Sequence, residues 1–153
     1  ENVFIEDVAG RGLCAKLLDF GLARFFDRER WADADSLTRE GTVLGTPLYM
    51  PAEQSLGQRA DTRSDVYALG VVIFEMLAGI PPFDAADRLS LVRAHAMAPV
   101  PPLGAARTAL VVLPELDAVI GKALAKDANA RFQDGGQLHH ALSALPRPAT
   151  RLT

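Results

Sequence analysis

Thr62-Arg63-Ser64-Asp65-Val66-Tyr67-Ala68-Leu69-Gly70-Val71-Val72-Ile73-Phe74-Glu75-Met76-Leu77-Ala78-Gly79 is the stretch on which the fold turns. Thr62-x-x-Asp65 has the form of a capping box, which predicts a helix from Val66 to about Ala78. Val66, Leu69, Val71, Val72, Ile73, Phe74, Met76 and Leu77 fall on every side of that helix. A helix apolar all round has to be buried all round, so other elements are expected to surround it. Gly79 can take the left-handed cap, and Pro81-Pro82 forbid continuation. The apolar stretch 68–80 is interrupted by Glu75 and is shorter than the ~20 residues a membrane span needs.

Downstream, three amphipathic helices are expected. Leu89, Val92, Ala96 and Met97 make one apolar stripe. Leu116, Val119, Ile120, Ala123 and Leu124 make a second, with Pro114 at its first turn. Leu138, Ala141, Leu142 and Leu145 make the third, introduced by Gly135-Gly136 and stopped by Pro146. Residues 99–104 read as an extended proline-rich connector, and 146–153 as the start of a Pro/Arg linker.

Upstream, residues 3–18 read as a hairpin: Val3-Phe4-Ile5, turn chemistry through Gly10-Arg11-Gly12, then Leu13 to Leu18. Gly10 to Ala15 matches G-x-G-x-x-A, but a dinucleotide fingerprint must open a helix, and here a strand follows. Residues 22–52 are polar and aperiodic, with Trp31 inside. Loops longer than ~15 residues are usually functional or disordered.

The 153 residues are 49% hydrophobic and 23% charged, enough to bury a core in one soluble domain. A net charge of −3 argues against a general nucleic-acid or membrane-surface binder. One cysteine, Cys14, excludes an internal disulfide framework, fits a reducing, cytoplasmic compartment, and reads as a small apolar strand residue. His95, His139 and His140 lack the spacing of a shared metal site and are expected at the surface.

Asn2 and Asp19 flank the open end of the hairpin. An amide oxygen beside a carboxylate is a hard-ligand pair of the kind Mg²⁺ prefers, the rest of its shell coming from water and phosphates. The plainer reading is an Asx turn at each strand end. Asp19, however, begins Asp19-Phe20-Gly21, and Gly45-Thr46-Pro47-Leu48-Tyr49-Met50-Pro51-Ala52-Glu53, Ser64-Asp65-Val66-Tyr67-Ala68-Leu69-Gly70 and Lys126-Asp127-Ala128-Asn129-Ala130-Arg131-Phe132 follow in order.

That ordered set resembles the C-terminal lobe of a eukaryotic-like serine/threonine protein kinase of the kind bacteria also encode, over residues 1–145. The resemblance implies a mostly α lobe of an α+β parent fold, with a short β-hairpin, a long activation segment over 19–53, a buried central helix and three peripheral helices. It implies ATP and Mg²⁺ as cofactors, with Asn2 and Asp19 as metal and nucleotide-phosphate ligands. Thr46 would help position the substrate hydroxyl. Asp65 would hydrogen-bond the catalytic loop, and Glu53 and Arg131 would form a buried ion pair tying the activation segment to the helical core. Phe20 would anchor that segment and Gly21 let it pivot. Thr38 and Thr42 are candidates for phosphorylation, with Arg24 as a possible partner; the bland alternative is two loop threonines. Protein Ser/Thr hydroxyls would be the substrate.

Two departures stand out. The family's Ala-Pro-Glu reads Pro51-Ala52-Glu53 here, which moves the residue of fixed φ. The family's catalytic-base Asp would fall five residues before Asn2, ahead of Glu1, so the chain holds no catalytic base. The Gly-rich loop, Lys and Glu of the N-terminal lobe are also absent. The chain alone is therefore expected to be inactive, its missing lobe supplied by a parent that a segment after Thr153 could anchor to a membrane. The alternative is a pseudokinase-like, non-catalytic helical protein-binding module.

Overall fold

Asp61 starts the helix that organises this chain. In the computed structural model, residues 3–10, 12–17, 47–56, 58–106 and 112–146 are described. The chain divides into two units, Glu1–Leu44 and Gly45–Thr153.

In the first unit, β1 (Val3–Val8) and β2 (Gly12–Leu17) form an antiparallel hairpin, with Val3 opposite Leu17 and Ile5 opposite Ala15. Gly10 (φ 79°) and Gly12 (φ 73°) take the left-handed backbone that turns the chain. The glycine pattern thus makes a turn between strands, and a side-chain ion pair between Glu6 and Lys16 crosses the ladder. Cys14 is half-buried on β2.

The second unit is helical: a 3₁₀ turn (Pro47–Tyr49), α1 (Ala52–Ser55), α2 (Thr62–Ala78), α3 (Arg88–Met97), α4 (Leu103–Ala106), α5 (Pro114–Ala123), a second 3₁₀ turn (Ala128–Ala130) and α6 (Gly135–Ser143). In α2 the capping box is Asp61 with Ser64, not Thr62 with Asp65. The Asp61 carboxylate accepts from the Arg63 N–H, and the Ser64 hydroxyl accepts from the Asp61 N–H at 3.2 Å. The helix therefore begins four residues before Val66. Gly79, at φ 80°, closes it.

Val66, Tyr67, Gly70, Val71, Phe74 and Ala78 of α2 are buried, but Met76 is 70% exposed, so α2 is not buried all round. Its core side packs against α4, α5, α6 and the first 3₁₀ turn. One apolar cluster joins Tyr67, Val71 and Phe74 to Phe83, Leu91, Leu103, Ile120 and Leu124; a second joins Val66 to Ala123, Phe132 and Leu138. Each fully buried side chain of this size contributes roughly 1.5–3 kcal/mol. Gly70 lets α5 come close: a Cβ there would stand 3.0 Å from Ala123 Cβ.

The α5 and α6 stripes lie as read, with Ile120, Ala123, Leu124 and Leu138 buried. The α3 stripe does not. Leu89 and Met97 are exposed, and the residues α3 buries are Leu91 and His95. Residues 99–104 are not extended throughout, because α4 starts at Leu103, whose N–H is held by the Asp117 carboxylate at 2.9 Å. Among the described residues no helix is long and apolar enough to cross a membrane.

Candidate functional site

Of the residues singled out by sequence, the helical unit brings Glu53 and Arg131 together. Glu53 enters from the one-turn helix α1, whose N-cap is Pro51 (φ −63°, ψ 153°). Proline's fixed φ suits that extended position, and the shifted proline leaves Glu53 in place. Arg131 follows the second 3₁₀ turn, capped by the Asp127 carboxylate, which accepts from the Asn129 N–H.

Arg131 is 2% exposed, and each of its five N–H donors has an acceptor. Nη1 donates to Glu53 Oε1 (3.0 Å) and to the Arg63 carbonyl (3.1 Å), and Nη2 to Glu53 Oε2 (2.6 Å) and to the Lys126 carbonyl (3.1 Å). Nε donates to the Ala125 carbonyl at 2.6 Å. The guanidinium also lies over the Tyr67 ring, 4.8 Å from its centroid. Ser64 Oγ donates to Glu53 Oε1 at 2.5 Å, so the N3 residue of the α2 capping box also holds the acid. Burial raises the Glu53 carboxyl's pKa, but the Arg131 and Ser64 hydrogen bonds outweigh it and hold the group below its ordinary value.

A cleft of about 230 Å³ opens beside this pair, lined by Arg59, Asp61, Arg63, Lys126 and Asn129 among others. Arg63 is committed to Asp61 and Asn129. Lys126 donates to the Ala94 and His95 carbonyls (3.2 and 2.7 Å), and its ammonium sits 3.9 Å from the Phe83 centroid. Burial and the nearby Arg131 charge push Lys126 down to about 8.

His95, expected at the surface, is fully buried on α3. Its Nδ1 lies 3.0 Å from the Tyr67 hydroxyl, and both Tyr67 and Phe83 meet the ring edge-on. Burial and the Lys126 charge push it down to about 4. Sequence missed it because a histidine at one helical position reads as polar; its i+4 spacing from Leu91 was the available signal. His139 and His140 are exposed.

Asp65 is exposed in the first turn of α2, where a carboxylate favours the helix dipole. Asn2, Asp19, Phe20, Gly21, Arg24, Trp31, Thr38, Thr42 and Thr46 lie outside the described residues. Among the described residues no group of three or more His, Cys, Asp or Glu could hold a metal ion.

The chain matches the protein kinase domain family over residues 1–142. It is 41% identical over 144 residues to the serine/threonine-protein kinase pkn2 of Myxococcus xanthus, covering 94% of this chain and 17% of that protein. It is 42% identical over 125 residues to the serine/threonine-protein kinase PknB of Mycolicibacterium smegmatis, covering 80% of this chain and 19% of that one. A third relative, the serine/threonine-protein kinase pkn3 of Myxococcus xanthus, is 32% identical over 152 residues, 99% of this chain and 27% of its own length. The chain thus spans about a quarter or less of the length of these curated relatives. With residues 1–142 matched and the kinase-ordered motifs in place along them, this chain belongs to the protein kinase family.

Proposed function

We propose that this chain is the C-terminal-lobe portion, over residues 1–145, of a kinase that transfers the ATP γ-phosphate to protein Ser/Thr hydroxyls. The observation that carries the reading is the Glu53–Arg131 pair, a buried, fully hydrogen-bonded tie between the segment after Gly45-Thr46-Pro47 and the helical core. Such a tie suits a loop that must present a substrate in one geometry.

In this reading Asn2 and Asp19 hold Mg²⁺ through hard oxygen ligands, and the donor set suits that ion. The hairpin register, Val3 opposite Leu17, supports it by pairing the strand ends from which both residues continue. When bound, Mg²⁺ neutralises charge on the nucleotide phosphates. Thr46 positions the acceptor hydroxyl, Asp65 supports the catalytic loop, and Phe20 and Gly21 set the start of the activation segment. Thr38 and Thr42 are its phosphorylation candidates. The names of the bacterial relatives support Ser/Thr specificity. The catalytic base and phosphate-pairing lysine come from the remainder of a two-lobed enzyme.

The test is phosphate transfer from ATP and Mg²⁺ to a Ser/Thr protein by these residues joined to a catalytic loop and N-terminal lobe. Transfer that Asp19→Ala abolishes without loss of fold supports the reading. A folded two-lobed protein that transfers nothing returns the chain to the protein-binding alternative.

A further inference from the structure

We propose that Lys126 is a positioning residue for the protein substrate: its side chain caps the end of α3 that Pro99 leaves open, and so holds α3 against the segment that follows Thr46.

The last turn of α3 lacks a donor. In a helix the carbonyl of residue i accepts the N–H of residue i+4. Ala94 is served in this way, by the Ala98 N–H at 2.9 Å. His95 is not, because the residue four places on is Pro99, which has no N–H. Proline also drives the residue before it out of the helical region, and Ala98 is accordingly extended, at φ −69° and ψ 140°. His95 is fully buried, so its carbonyl is out of reach of bulk water and needs a partner within the fold. Lys126 Nζ meets it at 2.7 Å and reaches the Ala94 carbonyl as well, at 3.2 Å. A cation at the C-terminal end of a helix is also favoured by the helix dipole.

Both ends of Lys126 are fixed. Its ammonium lies 3.9 Å from the Phe83 ring centroid, and its backbone carbonyl accepts from Arg131 Nη2 at 3.1 Å. One residue therefore joins the Glu53–Arg131 tie, through its main chain, to the end of α3, through its side chain. That helix packs against the first 3₁₀ turn (Pro47–Tyr49) and α1, the two elements of the segment after Thr46. It buries only Leu91 and His95, so apolar packing alone gives it a small grip and the cap at its end matters the more.

The inference rests on the kinase reading only for the substrate role, and it is tested on the chain joined to its catalytic loop and N-terminal lobe. The first test needs no variant. Lys122 is the internal control: its ammonium also lies over a ring, 4.4 Å from the Phe132 centroid, but makes no hydrogen bond among the described residues. In the side-chain ¹⁵N spectrum at mildly acidic pH, the Lys126 ammonium hydrogens should exchange with water about tenfold more slowly than those of Lys122. Equal rates overturn the cap. The second test compares Lys126→Met, which keeps the apolar stem, with Lys126→Arg, which keeps donors. Lys126→Met should speed amide exchange at Met97 and Ala98 about tenfold relative to Val71, and Lys126→Arg should restore most of the protection. Uniform acceleration, or no difference between the two variants, overturns the proposal. In the same protein Lys126→Met should raise KM for the protein substrate severalfold and leave KM for ATP unchanged, with recovery in Lys126→Arg. An unchanged protein KM removes the substrate role. Failure of the kinase reading is seen separately, as no transfer by the unmodified enzyme.

Discussion

Glu53 and Arg131, 78 residues apart in the chain, meet as a two-pronged ion pair at 2.6 and 3.0 Å with the guanidinium 2% exposed. A buried pair adds little net stability over an apolar substitute, because two ions must be taken out of water. What it supplies is geometry. Two parallel hydrogen bonds fix angle as well as distance, and the three carbonyls of Arg63, Ala125 and Lys126 fix the fork itself.

Breaking one side of that pair is expected to be costly. Arg131→Ala strands the Glu53 carboxylate and frees three carbonyls, a loss of about 3–5 kcal/mol. Arg131→Lys should recover little of it, since an ammonium cannot make the fork. Urea unfolding of the purified variants measures both; a loss under 1 kcal/mol for Arg131→Ala would contradict the buried-pair account.

The elements legible in the sequence were those whose chemistry is local. The α5 stripe separates apolar from polar positions cleanly, and Gly79 before Pro81-Pro82 ended α2 where the structure ends it. Two errors came from context. Asp61, one place outside the apparent Thr62–Asp65 signal, caps α2, since several oxygen side chains there compete for the same N–H groups. On α3, counting Leu89 and Met97 as core rotated the helix away from Leu91 and His95, because a histidine that buries itself against Tyr67 and Phe83 looks polar in sequence. No periodicity could pair Glu53 with Arg131; only the resemblance of the ordered motifs pointed there. Asn2, Asp19 and Thr46 stand on sequence alone.

Ser64 joins the α2 cap to the ion pair, accepting from the Asp61 N–H and donating to Glu53 Oε1. Ser64→Ala removes both bonds at a buried position, a cost of about 1–3 kcal/mol. It also removes one of the bonds holding the Glu53 carboxyl low, so the variant's acid unfolding should begin at higher pH. A pH titration of unfolding checks the direction; no shift would mean Arg131 alone sets the Glu53 pKa.

Acidification should destabilise the helical unit in two stages. His95 has its folded pKa pushed down to about 4 from 6.5, so the unfolded chain binds the extra proton between those values. The His95 contribution is therefore fully present above pH 6.5 and is lost as pH drops toward 4, by about 3 kcal/mol in all. Glu53, also depressed, adds its loss below its ordinary value of 4.5. Lys126 works at the other end: its folded pKa of about 8 against 10.5 makes stability rise with pH between them. His95→Gln should flatten the slope between pH 6.5 and 4.5 and leave the alkaline rise intact. Unfolding free energy measured across pH 4.5–10.5 tests both limbs, and an unchanged acid slope in the variant would assign it elsewhere.

Two glycines in helices should respond oppositely to alanine. Gly70, in α2, faces α5 with Ala123 Cβ and Leu124 Cδ2 only 3.0 and 3.2 Å from where a new Cβ would lie. Those neighbours sit on a helix backbone and in the fully buried core, so they cannot withdraw without moving α5. Gly70→Ala is therefore expected to cost about 1–3 kcal/mol through overpacking. Gly121, in α5 itself, has nothing within 4 Å of the same added atom. There alanine only restricts the unfolded chain and suits the helix, a gain of about 0.5–1 kcal/mol. Thermal or urea unfolding of the two single variants distinguishes the cases without reference to activity. If both substitutions stabilise, α2 and α5 do not cross at Gly70 as closely as 3.0 Å. If both destabilise, α5 carries a neighbour over Gly121 and the open side of that helix is covered.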